Sequence, residues 1–175
     1  YENELYTIYE NEDVWPHEFT LDTVSVFKSD FRKYLKATKK LDLKKKIGFV
    51  SEAEFSLVSD YVNSSVDRNN TIEEIENSYN RLSYKVNSEM KEVFVVNEYY
   101  NDYWEVKVNN MDIKPIKVNF NQIGIPIEKG ENKISLEYRP TLFNYLSYLQ
   151  KITFFIFGFL VIWQVFSSYK KVYSK

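Results

Sequence analysis

The sequence contains no cysteine. That excludes disulfides and thiolate zinc sites, though it fixes no compartment. A single histidine, His17, excludes a metal site built from histidines. Glycine and proline, four of each, are too scarce for a linker or a low-complexity chain. A strong charge of one sign is also lacking: the net charge is −2, which gives no basis for a nucleic-acid partner. No apolar leader stands at the N-terminal end, which begins at Tyr1. The expectation is that export information lies upstream, either in a removed signal peptide or in the earlier part of a longer protein.

Aromatic residues make up 18% of the chain, mostly Tyr and Phe. Such side chains suit the pleated surface of strands. The expected fold is mainly β with minor α: an antiparallel β-sandwich-like domain with one or two helices, followed by a single transmembrane helix. Residues 1–141 form the β domain, with a mixed α/β part over 1–70 and the β-sandwich part over 71–141. The helix covers 142–169, and 170–175 is a basic tail.

Short extended runs are expected at Leu5–Tyr9, in HEFTL and VSVF between His17 and Phe27, and at Ile47–Val50. Phe27, Phe31 and Leu35 recur every four residues, which predicts an amphipathic helix over Ser29–Lys40. The stretch Glu52–Asn70 is ambiguous and ends in the polar loop SSVDRNN. Leu82, Tyr84 and Val86 alternate with polar residues, as do Trp104, Val106 and Val108. By this alternation Trp104 points inward. Val93–Val96 reads as a central strand. Asn109-Asn110 predicts a hairpin turn, with Ile113–Val118 as the returning partner. A second turn surrounds Gly130, and Ile134, Leu136 and Tyr138 then share one face. Strands about every ten residues with such turns indicate a sandwich.

Ile152–Val165 reads ITFFIFGFLVIWQV, and these fourteen residues give about 21 Å of helix. Extension from Leu146 to Phe166 gives about 31 Å, near the roughly 30 Å of a bilayer core. Lys151 then lies inside the span, where its side chain snorkels to the headgroups. Tyr145 and Tyr148 before the run, and Trp163, Tyr169 and Tyr173 after it, form an interfacial belt. A buried core helix is the competing reading, and the aromatic belt argues against it. Lys170, Lys171 and Lys175 follow the span without an acid, whereas charges before it are mixed. Positive-inside logic places the tail in the cytoplasm and the large domain outside. A tail-anchored cytoplasmic domain would fit the missing leader but opposes this lysine distribution. The lipid bilayer is the first expected partner.

Lys36, Lys39, Lys40, Lys44, Lys45 and Lys46 form the densest charge cluster. Such lysines contact anionic lipid headgroups or phosphate, or simply end a solvated helix. The second reading is favoured. Tyr99, Tyr100, Tyr103 and Trp104 have faces suited to sugar C–H surfaces, with Tyr100 and Tyr103 the expected ligand contacts, although core packing is the commoner role. Carboxylate groups such as Glu73 with Glu74, or Glu10, Glu12 and Asp13, show no convergence that would support glycosidic chemistry. The sequons at Asn63 and Asn69 carry no weight in a composition this rich in Asn and Lys. Gln164 is read as a tolerated polar residue near the cytoplasmic end. No catalytic residue, metal ligand or cofactor is assigned.

Several segments share a pattern. They are Tyr99-Tyr100-Asn101-Asp102-Tyr103-Trp104, Val106-Lys107-Val108-Asn109-Asn110, Gly124, Glu128-Lys129-Gly130-Glu131-Asn132 and Tyr138-Arg139-Pro140 ahead of the apolar helix. Together they resemble the C-terminal end of YfhO-type bacterial membrane proteins. Tyr9-Glu10-Asn11, Val14-Trp15-Pro16 and Lys44–Phe49 extend the resemblance towards the N-terminus. The chain departs from the pattern in three places. Tyr103 replaces a glycine, Asn109-Asn110 replaces Asp-Gly, and His17 stands where arginine is usual.

The resemblance implies a C-type glycosyltransferase-like parent. Such a parent has many transmembrane helices, a polyprenyl-phosphate sugar donor, and transfer onto envelope polymers outside the cytoplasm. Its catalytic acid is expected in an early loop, outside this chain. On that reading this chain is a non-catalytic C-terminal extracytoplasmic domain in a bacterial cytoplasmic membrane. Its partners are the rest of the parent or other membrane subunits, and envelope glycan. The alternative is a single-pass envelope subunit whose β domain binds glycan or protein.

Overall fold

The computed structural model describes residues 14–27, 45–61 and 69–173. The expected strand at Leu5–Tyr9, the helix over Ser29–Lys40, Lys36, Lys39, Lys40 and Lys44, the sequon at Asn63 and most of the SSVDRNN loop lie outside these residues. The chain divides into two compact units, with the boundary between Glu137 and Tyr138.

The first unit is a sandwich. Its elements in chain order are β1 (Glu18–Thr20), β2 (Thr23–Val26), β3 (Ile47–Val50), α1 (Glu52–Val58), β4 (Thr71–Ser78), β5 (Arg81–Ser88), β6 (Glu92–Val96), β7 (Trp104–Val108), β8 (Met111–Ile113), β9 (Ile116–Val118), β10 (Gln122–Ile127) and β11 (Gly130–Tyr138). One sheet has the order β1-β6-β10-β9, with every neighbouring pair antiparallel. The other has the order β4-β5-β11-β7-β8. Their inner faces form one core: Leu82, Tyr84 and Val86 of β5 and Ile134 and Leu136 of β11 meet Phe94 and Val96 of β6 and Ile123 and Ile125 of β10. Period-two alternation therefore reports β5, β7 and β11 of the five-stranded sheet. Its outer face is polar, with cross-strand ion pairs Arg81–Glu137 and Lys85–Glu131.

The four-stranded sheet is buried on both faces. β2 and β3 pair in parallel, with Thr23 opposite Ile47. Residues of this pair and of α1, with Phe19 and Leu21, pack on Val93, Val95, Ile116 and Val118. That third layer explains why every residue of β6 is buried and why Val93–Val96 is a continuous apolar run. Within the ambiguous stretch Glu52–Asn70, residues 52–61 form α1 and a short 3-10 turn at Ser59–Tyr61. The spacing Ser51-x-x-Glu54 starts the helix. The Ser51 hydroxyl accepts from the Glu54 amide at 3.2 Å, and the Glu54 carboxylate accepts from the Ser51 amide at 3.2 Å. Glu54 also accepts from the Lys117 amide at 2.7 Å, tying α1 to β9.

The Asn109-Asn110 turn forms as expected, with φ of 51° and 66°. Both residues are left-handed, as the tight two-residue hairpin requires, and asparagine tolerates that backbone. The returning strand differs from expectation. Met111–Ile113 pairs with β7, whereas Ile116–Val118 crosses to the other sheet and pairs with β10. Lys114-Pro115 interrupts the run, and proline lacks the amide that a continuing ladder needs. Asn119 then bridges layers: its amide donates to the Phe49 carbonyl at 2.8 Å, and its side-chain oxygen accepts from the Phe49 amide at 2.9 Å.

Gly124 faces the layer containing Ile116 and Val118. A Cβ there would meet Val118 Cγ2 and would lie 2.9 Å from Ile116 Cγ1. Both neighbours are branched and buried, so they yield little. Gly124→Val is expected to lower stability by about 1–3 kcal/mol, as overpacked cores do, read as a reduced midpoint in urea unfolding.

The second unit is α2 (Thr141–Tyr173). An 18-residue window within Thr141–Tyr169 has a mean hydropathy of 1.7, and none of that window is buried. It is long and apolar enough to cross a bilayer, by length and composition.

Candidate functional site

One end of the sandwich carries a cleft of about 570 Å³ lined by Asn77, Ser78, Tyr79, Leu82, Glu98 and Trp104. Three chain segments build it. The β4–β5 hairpin, with Ser78 opposite Arg81, projects Asn77, Ser78 and Tyr79 at its tip. Glu98 follows β6, and Trp104 opens β7. The Trp104 ring packs partly against the core, as alternation predicts. Its indole N–H donates to the Tyr99 carbonyl at 3.1 Å, which fixes the plane of the ring. Tyr79 is fully exposed.

Glu98 is held from behind. His17 Nε2 lies 3.4 Å from a Glu98 oxygen, while His17 Nδ1 lies 3.3 Å from Glu18. His17 thus stands between the two carboxylates. The same acidic end surrounds Tyr84, whose hydroxyl is raised in pKa by burial and further by Glu18, Glu74 and Glu98. Tyr84 is 1% exposed, and its hydroxyl and Asn132 Oδ1 are the buried side-chain polar atoms without a hydrogen-bond partner among the described residues.

Of the two tyrosines expected to touch ligand, Tyr103 is exposed and Tyr100 packs against the core. Burial raises the Tyr100 pKa, with Asp102 and Glu54 adding to it. Neither lines the cleft, although both lie within four residues of Trp104 in sequence. Lys46 is partly committed to structure: its amide donates to Asp22 at 2.8 Å and its ammonium sits 5.9 Å from the centre of the Phe19 ring. Lys45 is exposed. On α2, Tyr145, Tyr148, Trp163 and Tyr169 are exposed, and the Lys151 ammonium lies 5.4 Å from the Tyr148 ring centre. The Lys170 and Lys171 side chains lie outside the described residues.

Sequence reasoning misses a buried acid. Glu92 has no exposure. It accepts from the Asn70 side-chain amide at 2.6 Å and from the Ser88 hydroxyl. Asn70 also donates to the Thr20 hydroxyl at 3.0 Å and accepts from the Glu89 amide at 3.2 Å. The signal for it was a carboxylate set directly against the apolar run Val93–Val96. These hydrogen bonds tie β6 to Ser88 of β5 and to Asn70 ahead of β4, which gives Glu92 an architectural role. Among the described residues no group of three or more His, Asp or Glu is arranged to hold a metal ion. A smaller apolar hollow of about 190 Å³ lies beside Phe27, Phe49 and Phe120.

A β-sandwich domain followed by an apolar helix of bilayer length defines a membrane-protein class with a sizeable folded portion outside the lipid. The particular family follows from comparison: the model of the bacterial membrane protein YfhO matches residues 50–150. That is more than half of the chain, and the chain belongs to the YfhO family. No curated protein and no solved structure matches it.

Proposed function

We propose that this chain is the non-catalytic extracytoplasmic C-terminal domain and last transmembrane helix of a polytopic, glycosyltransferase-like membrane protein. The parent acts on cell-envelope glycans or polymers with a polyprenyl-phosphate sugar donor. The observation carrying this reading is the family match, which runs from the third strand through the sandwich and into the apolar helix. Lys170, Lys171 and Lys175 behind the helix favour a cytoplasmic C-terminus and an external β domain. Tyr145, Tyr148, Lys151, Trp163 and Tyr169 act as interface anchors, and Lys39, Lys40, Lys44, Lys45 and Lys46 meet anionic lipid or phosphate. Within the parent, the domain shapes access of the acceptor or docks a partner.

The test is deletion of residues 14–137 from the chromosomal gene, with the apolar helix retained. The sugar content of the envelope polymers is expected to fall while the truncated protein remains in the membrane fraction. Unchanged sugar content would remove the glycan role. A reporter active only in the cytoplasm, fused after Lys175, is expected to be active, and an inactive fusion would reverse the orientation.

A further inference from the structure

We propose that the cleft bordered by Trp104, Tyr79 and Glu98 binds a neutral glycan. This deepens the envelope-glycan reading and rests on it for the source of the sugar, but the chemistry comes from the cleft itself. Its lining combines two aromatic residues with an amide, a hydroxyl and a carboxylate. Small-ligand sites typically enclose roughly 300–1,000 Å³, pairing apolar walls with a few placed polar groups. The volume of about 570 Å³ falls within that range.

Each wall suits one feature of a sugar ring. Trp104 is anchored through its indole N–H, so its ring is a fixed apolar platform for a C–H face. The Glu98 carboxylate is a strong acceptor for hydroxyl protons, and contact with His17 holds it in place. Asn77 and Ser78 add an amide and a hydroxyl, which both donate and accept. Among the described residues no lysine or arginine lines the cleft, and Glu98 repels anions, so a phosphate-bearing group is disfavoured. An organic cation is the main competitor, since an aromatic face with a carboxylate also suits ammonium. The neutral amide and hydroxyl groups favour the sugar. Tyr79 contributes to the lining from the hairpin tip.

The test uses the whole chain in lipid nanodiscs and saturation-transfer NMR. The probes are di- and trisaccharides of glucose, galactose and N-acetylglucosamine, with tetramethylammonium and inorganic phosphate titrated separately. At least one saccharide is expected to bind saturably. Tyr79→Ala and Glu98→Gln are each expected to weaken it about tenfold, the loss that one good polar or stacking contact produces. Tyr79 is fully exposed, so its removal leaves the fold intact. Absence of saturable binding by every saccharide overturns the proposal. So does affinity unchanged in both variants, or a site that takes tetramethylammonium and is not displaced by sugar. Binding is measured without any transfer reaction. A failed titration alongside a fall in polymer sugar on domain deletion would therefore sink the cleft assignment alone.

Discussion

Glu92→Ala is expected to destabilise the β domain by about 3–4 kcal/mol, the sum of an emptied buried site and the hydrogen bonds lost to Asn70 and Ser88. The Asn70 amide and the Ser88 hydroxyl both donate to the carboxylate. These residues lie in three different places: Asn70 just before β4, Ser88 at the end of β5 and Glu92 at the start of β6. Removing the acceptor therefore loosens the junction between the two sheets, not one strand. Glu92→Gln keeps the shape and one oxygen, and should cost about half as much. In a double-mutant cycle, Glu92 and Asn70 should show a coupling of about 1–3 kcal/mol, as neighbours within one network do. Urea unfolding followed by tryptophan fluorescence measures all three. A loss below about 1 kcal/mol for the alanine variant would show that the network contributes little.

The second large effect concerns α2. Leu160→Asp places a carboxylate near the middle of the apolar segment, where a charge costs about 2.5–3.5 kcal/mol on insertion scales and the leucine it replaces was favourable. Insertion of residues 141–169 in a translocon assay should fall by about two orders of magnitude in the equilibrium constant. Ser168→Asp, near the end, should change it little. Equal insertion of the leucine and aspartate forms would mean that this helix does not cross the bilayer.

Much of the sandwich was legible because one of its faces is solvated. Leu82, Tyr84 and Val86 alternate with polar residues since β5 has one wet side, and Ile134 and Leu136 repeat the pattern on β11. Where both faces are buried, alternation vanishes. Val93–Val96 reveals a central strand but not the third layer that covers it. The Asn109-Asn110 turn was readable from residue type. Asn119 and Phe120 were not: Phe120 has φ of 77°, uncommon for a bulky residue, so its side chain gives no hint of a turn. The apolar helix needed only length and composition. The cleft was the least visible feature. Its aromatic Trp104 stood out in the sequence, but Tyr79 and Glu98 come from a hairpin tip and the end of a strand in the other sheet. Only the fold brings them together.

The pairing of β1 bears on how the protein is made. Phe19 pairs with Val95, which is synthesised 76 residues later. At about 5–20 residues per second, that partner arrives several seconds after the strand that needs it. Throughout that interval Phe19 and Leu21 have no sheet to join, and they are among the most apolar contacts of the finished domain. A newly made chain must be shielded or kept extended until the C-terminal half emerges. Temperature or crowding that slows completion of the chain should therefore reduce yield before it affects the stability of the folded product.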